Sequence, residues 1–169
     1  MVISAAEQAL GIPRQLLAAI ARVESGRWIA ASKAGFAWPW TVTANGVGHY
    51  YETKEQATAA VHEFRARGIT NIDVGCLQIN LQSHPQAFHS IDAALDPMEN
   101  TIYGALLLKN LHRSSGSWTS ATARYHSEAL RAGSLYVAKV DRLWYEEAKR
   151  AARTLLASAG PLAESSVTR

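Results

Sequence analysis

Apolar residues recur along the chain in steps of three and four, broken by glycine, proline and short capping side chains, and this rhythm predicts four or five helices. Leu16, Leu17, Ile20 and Val23 fall on one face behind Pro13, whose ring suits a first helical turn, and Gly26 supplies a stop. Thr53 and Gln56 form a capping-box pattern for a second helix, with Ala57, Ala60, Val61 and Phe64 as its stripe and Gly68 as its end. Asp96-Pro97-Met98-Glu99 opens a third, with Ile102, Ala105 and Leu106 on one face. A short helix is predicted over Ser120–His126 and a last one from Ser134 to about Ala157, carrying Val137, Val140, Leu143 and Trp144. Only one stretch reads as β: Trp40–Thr43 and Gly48–Glu52 flank Ala44-Asn45-Gly46-Val47, and Asn-Gly between extended runs predicts a hairpin. The pattern is mainly α, one helical domain over residues 1–159 with a small β-hairpin, followed by a small, polar, flexible tail over 160–169.

Composition narrows the function classes. With 169 residues, 48% of them hydrophobic and 18% charged, the chain has material for one packed core, so general disorder is excluded. Its longest apolar runs, such as Leu16–Ala21 and Ala105–Leu108, fall far short of the roughly 20 residues that span a bilayer. The lone Cys76 cannot close an internal disulfide and lies in an apolar run, which reads as a buried side chain and not a nucleophile. Net charge is +3, and the basic residues are scattered, so a nucleic-acid surface is not expected. The six histidines lack paired ligand spacing; His84 and His89, five apart around Pro85, read as a surface loop, and no metal or cofactor is expected. Met1–Ala9 shows no basic segment leading into a long apolar one, which fits a cytosolic protein or a mature form without its leader. No long apolar stripe is left after the core helices are assigned, so a monomer is expected.

Glu24 is the most informative position. It falls in Ala21-Arg22-Val23-Glu24-Ser25-Gly26, the last turn of the first predicted helix. Nearness to the apolar stripe and to the negative end of the helix dipole both disfavour its charged form, and a carboxylic acid kept protonated near neutral pH suits a general acid. The competing reading is a solvated carboxylate paired with Arg22 or Arg27.

A second motif bears on that choice. Gly75-Cys76-Leu77-Gln78-Ile79-Asn80 follows Ile72-Asp73-Val74, and Ala123-Arg124-Tyr125-His126 comes later on a helix. With Glu24-Ser25, this ordered set resembles the signature of the soluble lytic transglycosylase family, which has a lysozyme-like fold. That family carries a Glu-Ser at a helix end, a Gly-Leu-Met-Gln-Ile-type segment, and a Tyr-Asn pair on a later helix. The resemblance spans Ile12 to Trp144. Cys76-Leu77 stands where Leu-Met is usual, which keeps the segment apolar, and His126 stands where Asn is common. The stretch between Gly35 and Gly75 is longer than the plain family pattern, and residues 37–70, holding the hairpin and the Thr53 helix, read as an insertion.

The resemblance implies a peptidoglycan lytic transglycosylase, acting on glycan strands in the periplasm, with Glu24 as its sole acid and base and 1,6-anhydromuramic ends as products. It implies that Ser25 hydrogen-bonds near the carboxylate or substrate. Gln78 and the backbone around Ile79 would contact an N-acetyl group, Asn80 and His126 would bind or orient substrate, and Tyr125 would orient Glu24. An ordinary glycosidase needs two carboxylates about 5 to 9 Å apart. Asp73 is the acidic residue inside the motifs besides Glu24, and either a second catalytic carboxylate or a loop-orienting side chain fits it. Trp38, Trp40, Tyr50 and Tyr51 of the insertion either stack on sugar rings or pack the hairpin onto the body. The class and small size suit local opening of the wall for a secretion system, pilus or flagellum. A hydrolytic muramidase on the same fold, using Asp73 or Asn80 to place a water, and a non-catalytic glycan- or partner-binding module are the alternatives.

Overall fold

The computed structural model describes residues 2–126 and 130–159. In chain order the elements are α1 (Val2–Leu10), α2 (Leu16–Ser25), β1 (Gly26–Ile29), β2 (Ala34–Ala37), β3 (Thr41–Ala44), β4 (Val47–Tyr50), α3 (Lys54–Ala66), β5 (Ile72–Val74), β6 (Ile79–Asn80), α4 (Ile91–Ala94), α5 (Pro97–Ser115), α6 (Trp118–His126) and α7 (Leu130–Ala159). Residues 160–169, read above as a flexible tail, lie outside the described residues.

The helices with explicit caps form where the sequence places them. The Thr53 hydroxyl accepts from Gln56 N at the start of α3, and the Asp96 carboxylate accepts from Met98 N and Glu99 N at the start of α5. On α5, however, Thr101, Gly104, Ala105 and Leu108 face inward, while Ile102 and Leu106 are exposed. Of the expected stripe only Ala105 turns to the core; Ile102 and Leu106 fall on the wrong flank because small residues, Gly104 above all, let Leu77 approach this helix closely.

Three parts of the pattern differ from expectation. Val2–Leu10 is a helix that carries no start signal of its own; Ile3, Ala6 and Leu10 pack on the main core. Its buried Glu7 accepts hydrogen bonds from the backbone N–H groups of Gln15 and Leu17, both at 2.9 Å, and Ala18 at 3.3 Å. That carboxylate caps the N-terminus of α2, which begins at Leu16 and not at Pro13. Besides the Asn-Gly hairpin β3–β4 there is a separate antiparallel ribbon, β1–β2. β3 also pairs with β5, and β5 with β6, giving a four-stranded sheet in the order β4-β3-β5-β6. Finally, α7 starts at Leu130, before the predicted Ser134.

Packing separates into two clusters. Leu16, Leu17 and Ile20 of α2 meet Leu77, Leu108, Tyr136 and Val140 in a helical body. Val42, Val61, Ile72, Val74 and Leu95 form a second core under the sheet and α3. Gly26 ends α2 without a left-handed turn (φ −62°); it is glycine because a Cβ there would run into the Arg22 carbonyl.

Candidate active site

Glu24, at the end of α2, lines a cleft of about 530 Å³ between the helical body and the sheet. Two arginines stand near it in sequence, and both are engaged elsewhere. Arg22 Nη1 pairs with Glu147 at 2.8 Å and Glu146 at 3.3 Å on α7, and Arg27 Nη2 pairs with Glu52 at 2.6 Å. A hydrogen bond reaches Glu24 instead from α7, where the Tyr136 hydroxyl donates to Oε1 at 2.6 Å. The His126 ring stacks on Tyr136, nearly parallel and 4.5 Å away. Burial pushes the Glu24 carboxyl up to about 7; the Tyr136 hydrogen bond pulls it back and the negative charge of Asp73 adds to the rise. The Tyr136 hydroxyl is itself pushed well above its ordinary range, by burial first and then by Glu24, and so keeps its proton.

The facing wall is built by β3, β5 and the Gly75–Asn80 segment. Gly75 sits at φ +82°, and a Cβ there would strike the side chain of Asn100. Asn100, fully buried on α5, holds this turn from beneath. Its Nδ2 donates to the carbonyls of Val74 and Ala94, both at 3.0 Å, and its Oδ1 accepts from Leu77 N at 3.0 Å. Gln78 follows in the left-handed region, at φ +47°, which a non-glycine residue occupies only when its surroundings fix it there. Its Nε2 donates to Gly75 O at 2.9 Å and Thr41 O at 3.1 Å, and its Oε1 accepts from the Thr43 hydroxyl at 2.6 Å. Asn80 Nδ2 donates to Asp73 Oδ1 at 2.9 Å and Asn71 Oδ1 at 2.8 Å, while its Oδ1 accepts from Gln82 N and Ser83 N. Burial raises the half-buried Asp73 carboxyl, against the pull of Asn80 and His126.

The structure thus brings Glu24, Asp73, Gln78, Ile79, Asn80, Tyr125 and His126 onto one cleft. The family model of the transglycosylase SLT domain matches residues 1–135 of the chain. The chain belongs to the SLT family. Neither a curated protein nor a solved structure gives a significant match. SLT domains are lytic transglycosylases, so the protein is an enzyme of the peptidoglycan-cleaving class, with the mainly helical, lysozyme-like α+β fold that its motifs pointed to.

Within this SLT domain several side chains sit otherwise than the motifs suggested. The Tyr125 hydroxyl donates to Leu77 O at 2.9 Å, so the tyrosine bonded to Glu24 is Tyr136, just beyond the matched span. Ser25 is fully buried; its hydroxyl reaches the carbonyls of Ala21 at 3.0 Å and Cys76 at 2.8 Å and accepts from Trp38 N at 3.2 Å. It fastens the end of α2 to the Gly75 turn. The four aromatics do not line the cleft. Trp38 Nε1 donates to Tyr51 O at 2.6 Å and meets Trp40 edge-on, with the Arg27 guanidinium 4.5 Å over its ring. Trp40 and Tyr51 pack on the sheet core, and the Tyr50 hydroxyl donates to Gly26 O at 3.1 Å. Burial pushes the Cys76 thiol up to about 11, which leaves it inert.

Sequence reading missed Thr43, His84 and Leu107 in the lining, and Tyr136 and Asn100 behind it. A signal existed for Tyr136. It precedes Val140, Leu143 and Glu147 by four, seven and eleven residues, on the face of α7 that turns to the core.

Proposed function

We propose that this enzyme cleaves the β-1,4 bond between N-acetylmuramic acid and N-acetylglucosamine without water, with Glu24 as acid and then base. Protonated Glu24 gives its proton to the glycosidic oxygen, the bond from that oxygen to C1 of the muramic sugar breaks, and the N-acetylglucosamine hydroxyl leaves. The C6 hydroxyl of the muramic sugar then bonds to C1 and passes its proton to the Glu24 carboxylate. The product is a 1,6-anhydro ring and the acid is regenerated. Supplying the nucleophile from the substrate itself replaces a bound water with a tethered group.

The observation that carries this reading is a carboxyl raised to about 7 while its two sequence-neighbouring arginines, Arg22 and Arg27, pair with other carboxylates. Such a group is protonated before the reaction and is a competent base after it. Asp73, tied to Asn80 on the opposite wall, contributes negative charge that favours a protonated Glu24 and a cationic sugar transition state. Gln78 and Asn80 keep their side chains on internal partners, so their part is to hold the wall that the N-acetyl groups meet. Ser25 and Tyr125 act likewise, by fixing Cys76 and Leu77.

Asp73 also favours a second reading. Two carboxylates on one cleft suit a hydrolytic muramidase in which Asp73 directs a water. Mass spectrometry of muropeptides released from purified peptidoglycan separates the two. Fragments lighter than the hydrolysed ones by a water, absent with Glu24→Gln, support the transglycosylase; reducing-end fragments support the muramidase. A peptidoglycan substrate supports the periplasm as the compartment we assign to this activity, and local wall opening around a secretion system, pilus or flagellum as its role.

A further inference from the structure

A second groove, about 450 Å³ in volume, runs between α3 and the segment that leads from β6 to α4. It adjoins the catalytic cleft at His84, which lines both and whose Nδ1 is held 3.0 Å from the Tyr103 hydroxyl. The floor is apolar: Leu81, Phe88 and Ile91 pack down onto the sheet core. Its rim carries the opposite character. Arg65, exposed on α3, has no carboxylate partner among the described residues. The carboxylate on the rim, Asp92, is bound to Lys54 at 2.7 Å, so the charge facing the groove is positive.

A glycan strand in the Glu24 cleft is not a bare sugar chain. Each muramic residue carries a short peptide with small apolar side chains and free carboxylates. The bond being cut belongs to such a residue, so a peptide has to leave the cleft close to Glu24. We infer that the α3 groove receives this peptide, its alanyl side chains on the apolar floor and a carboxylate on Arg65. The inference rests on the peptidoglycan reading of the cleft and adds to it a reason for the enzyme to distinguish peptide-bearing from bare glycan. Continuity with the cleft and charge complementarity support it together.

The test uses the Glu24→Gln protein, which keeps both grooves, titrated by calorimetry with two glycan fragments of equal length, one bearing peptides and one stripped of them. The peptide-bearing fragment is expected to bind about tenfold more tightly, the worth of one partly solvated charge-assisted hydrogen bond, and Arg65→Glu added to the same protein to abolish that preference. Equal affinities for the two fragments, or a preference that survives Arg65→Glu, would overturn the inference. Cleavage is read separately. In the Glu24-intact protein, Arg65→Glu should lower kcat/KM on peptide-bearing strands and leave stripped strands unchanged. If neither strand is cleaved, the anhydro-forming reading fails while the binding comparison still decides the role of the groove.

Discussion

Glu24 is held in a form that the unfolded chain does not favour, and this makes the proposed catalytic acid a measurable burden on stability. Folding raises its carboxyl from the ordinary 4.5 to about 7, chiefly by burial. Between those values the folded protein keeps a proton that the unfolded chain gives up, so stability falls as pH rises through that window and stays low above it. The difference corresponds to about 3 kcal/mol, fully expressed at pH values near 8 and reduced to under about 1 kcal/mol near pH 5. Glu24→Gln removes the ionisation but keeps an oxygen for the Tyr136 hydroxyl to bond. The variant is therefore expected to unfold at a higher temperature than the parent near pH 8, by roughly 6–12 °C for a chain of this size, with the gap closing toward pH 5. Calorimetric or circular-dichroism melts of both proteins at the two pH values measure it. A gap that is the same at both, or a parent more stable than the variant at pH 8, would show that the carboxyl is not held protonated, and the acid role would lose its basis.

On the proposed mechanism the same proton governs rate. kcat/KM is expected to fall about tenfold per pH unit above 7, with Tyr136→Phe moving that limb to higher pH and Asp73→Asn moving it lower; pH–rate profiles in which both variants shift the same way would contradict the arrangement. Asn100→Ala leaves Leu77 N–H and the carbonyls of Val74 and Ala94 unpaired around a new cavity, an expected loss of about 3–5 kcal/mol in denaturant unfolding. A loss below about 1 kcal/mol would mean that the Gly75 turn stands without it.

What could be read from sequence was what neighbouring residues decide. The Thr53 and Asp96 caps and the Asn45-Gly46 turn are set by side chains within three positions of the backbone they serve, and each appears where it was expected. The β1–β2 ribbon left no such trace, because its connection runs through Ala30–Ser32 and a left-handed Lys33 instead of glycine or asparagine. Glu24 was visible as a carboxylate in an apolar helix end, but its partner was not: Tyr136 lies 112 residues further on, and only the docking of α7 brings them together. The role first given to Tyr125 went to Tyr136 for that reason. The insertion aromatics were ambiguous in the same way, since tryptophan and tyrosine that pack a hairpin and those that stack on sugars have one composition and differ in which side of the strand meets solvent.

The dependence of Glu24 on α7 also sets an order of events during synthesis. Until the last helix has emerged and docked, Glu24 lacks the Tyr136 hydrogen bond and the cover that Leu135 and Tyr136 give it. Arg22 then has neither Glu146 nor Glu147 and stands two residues from Glu24. On the proposed mechanism, a chain interrupted before α7 carries the first motifs of the site without the helix that covers its acid. On that mechanism, completion of the last helix is what closes the site around it.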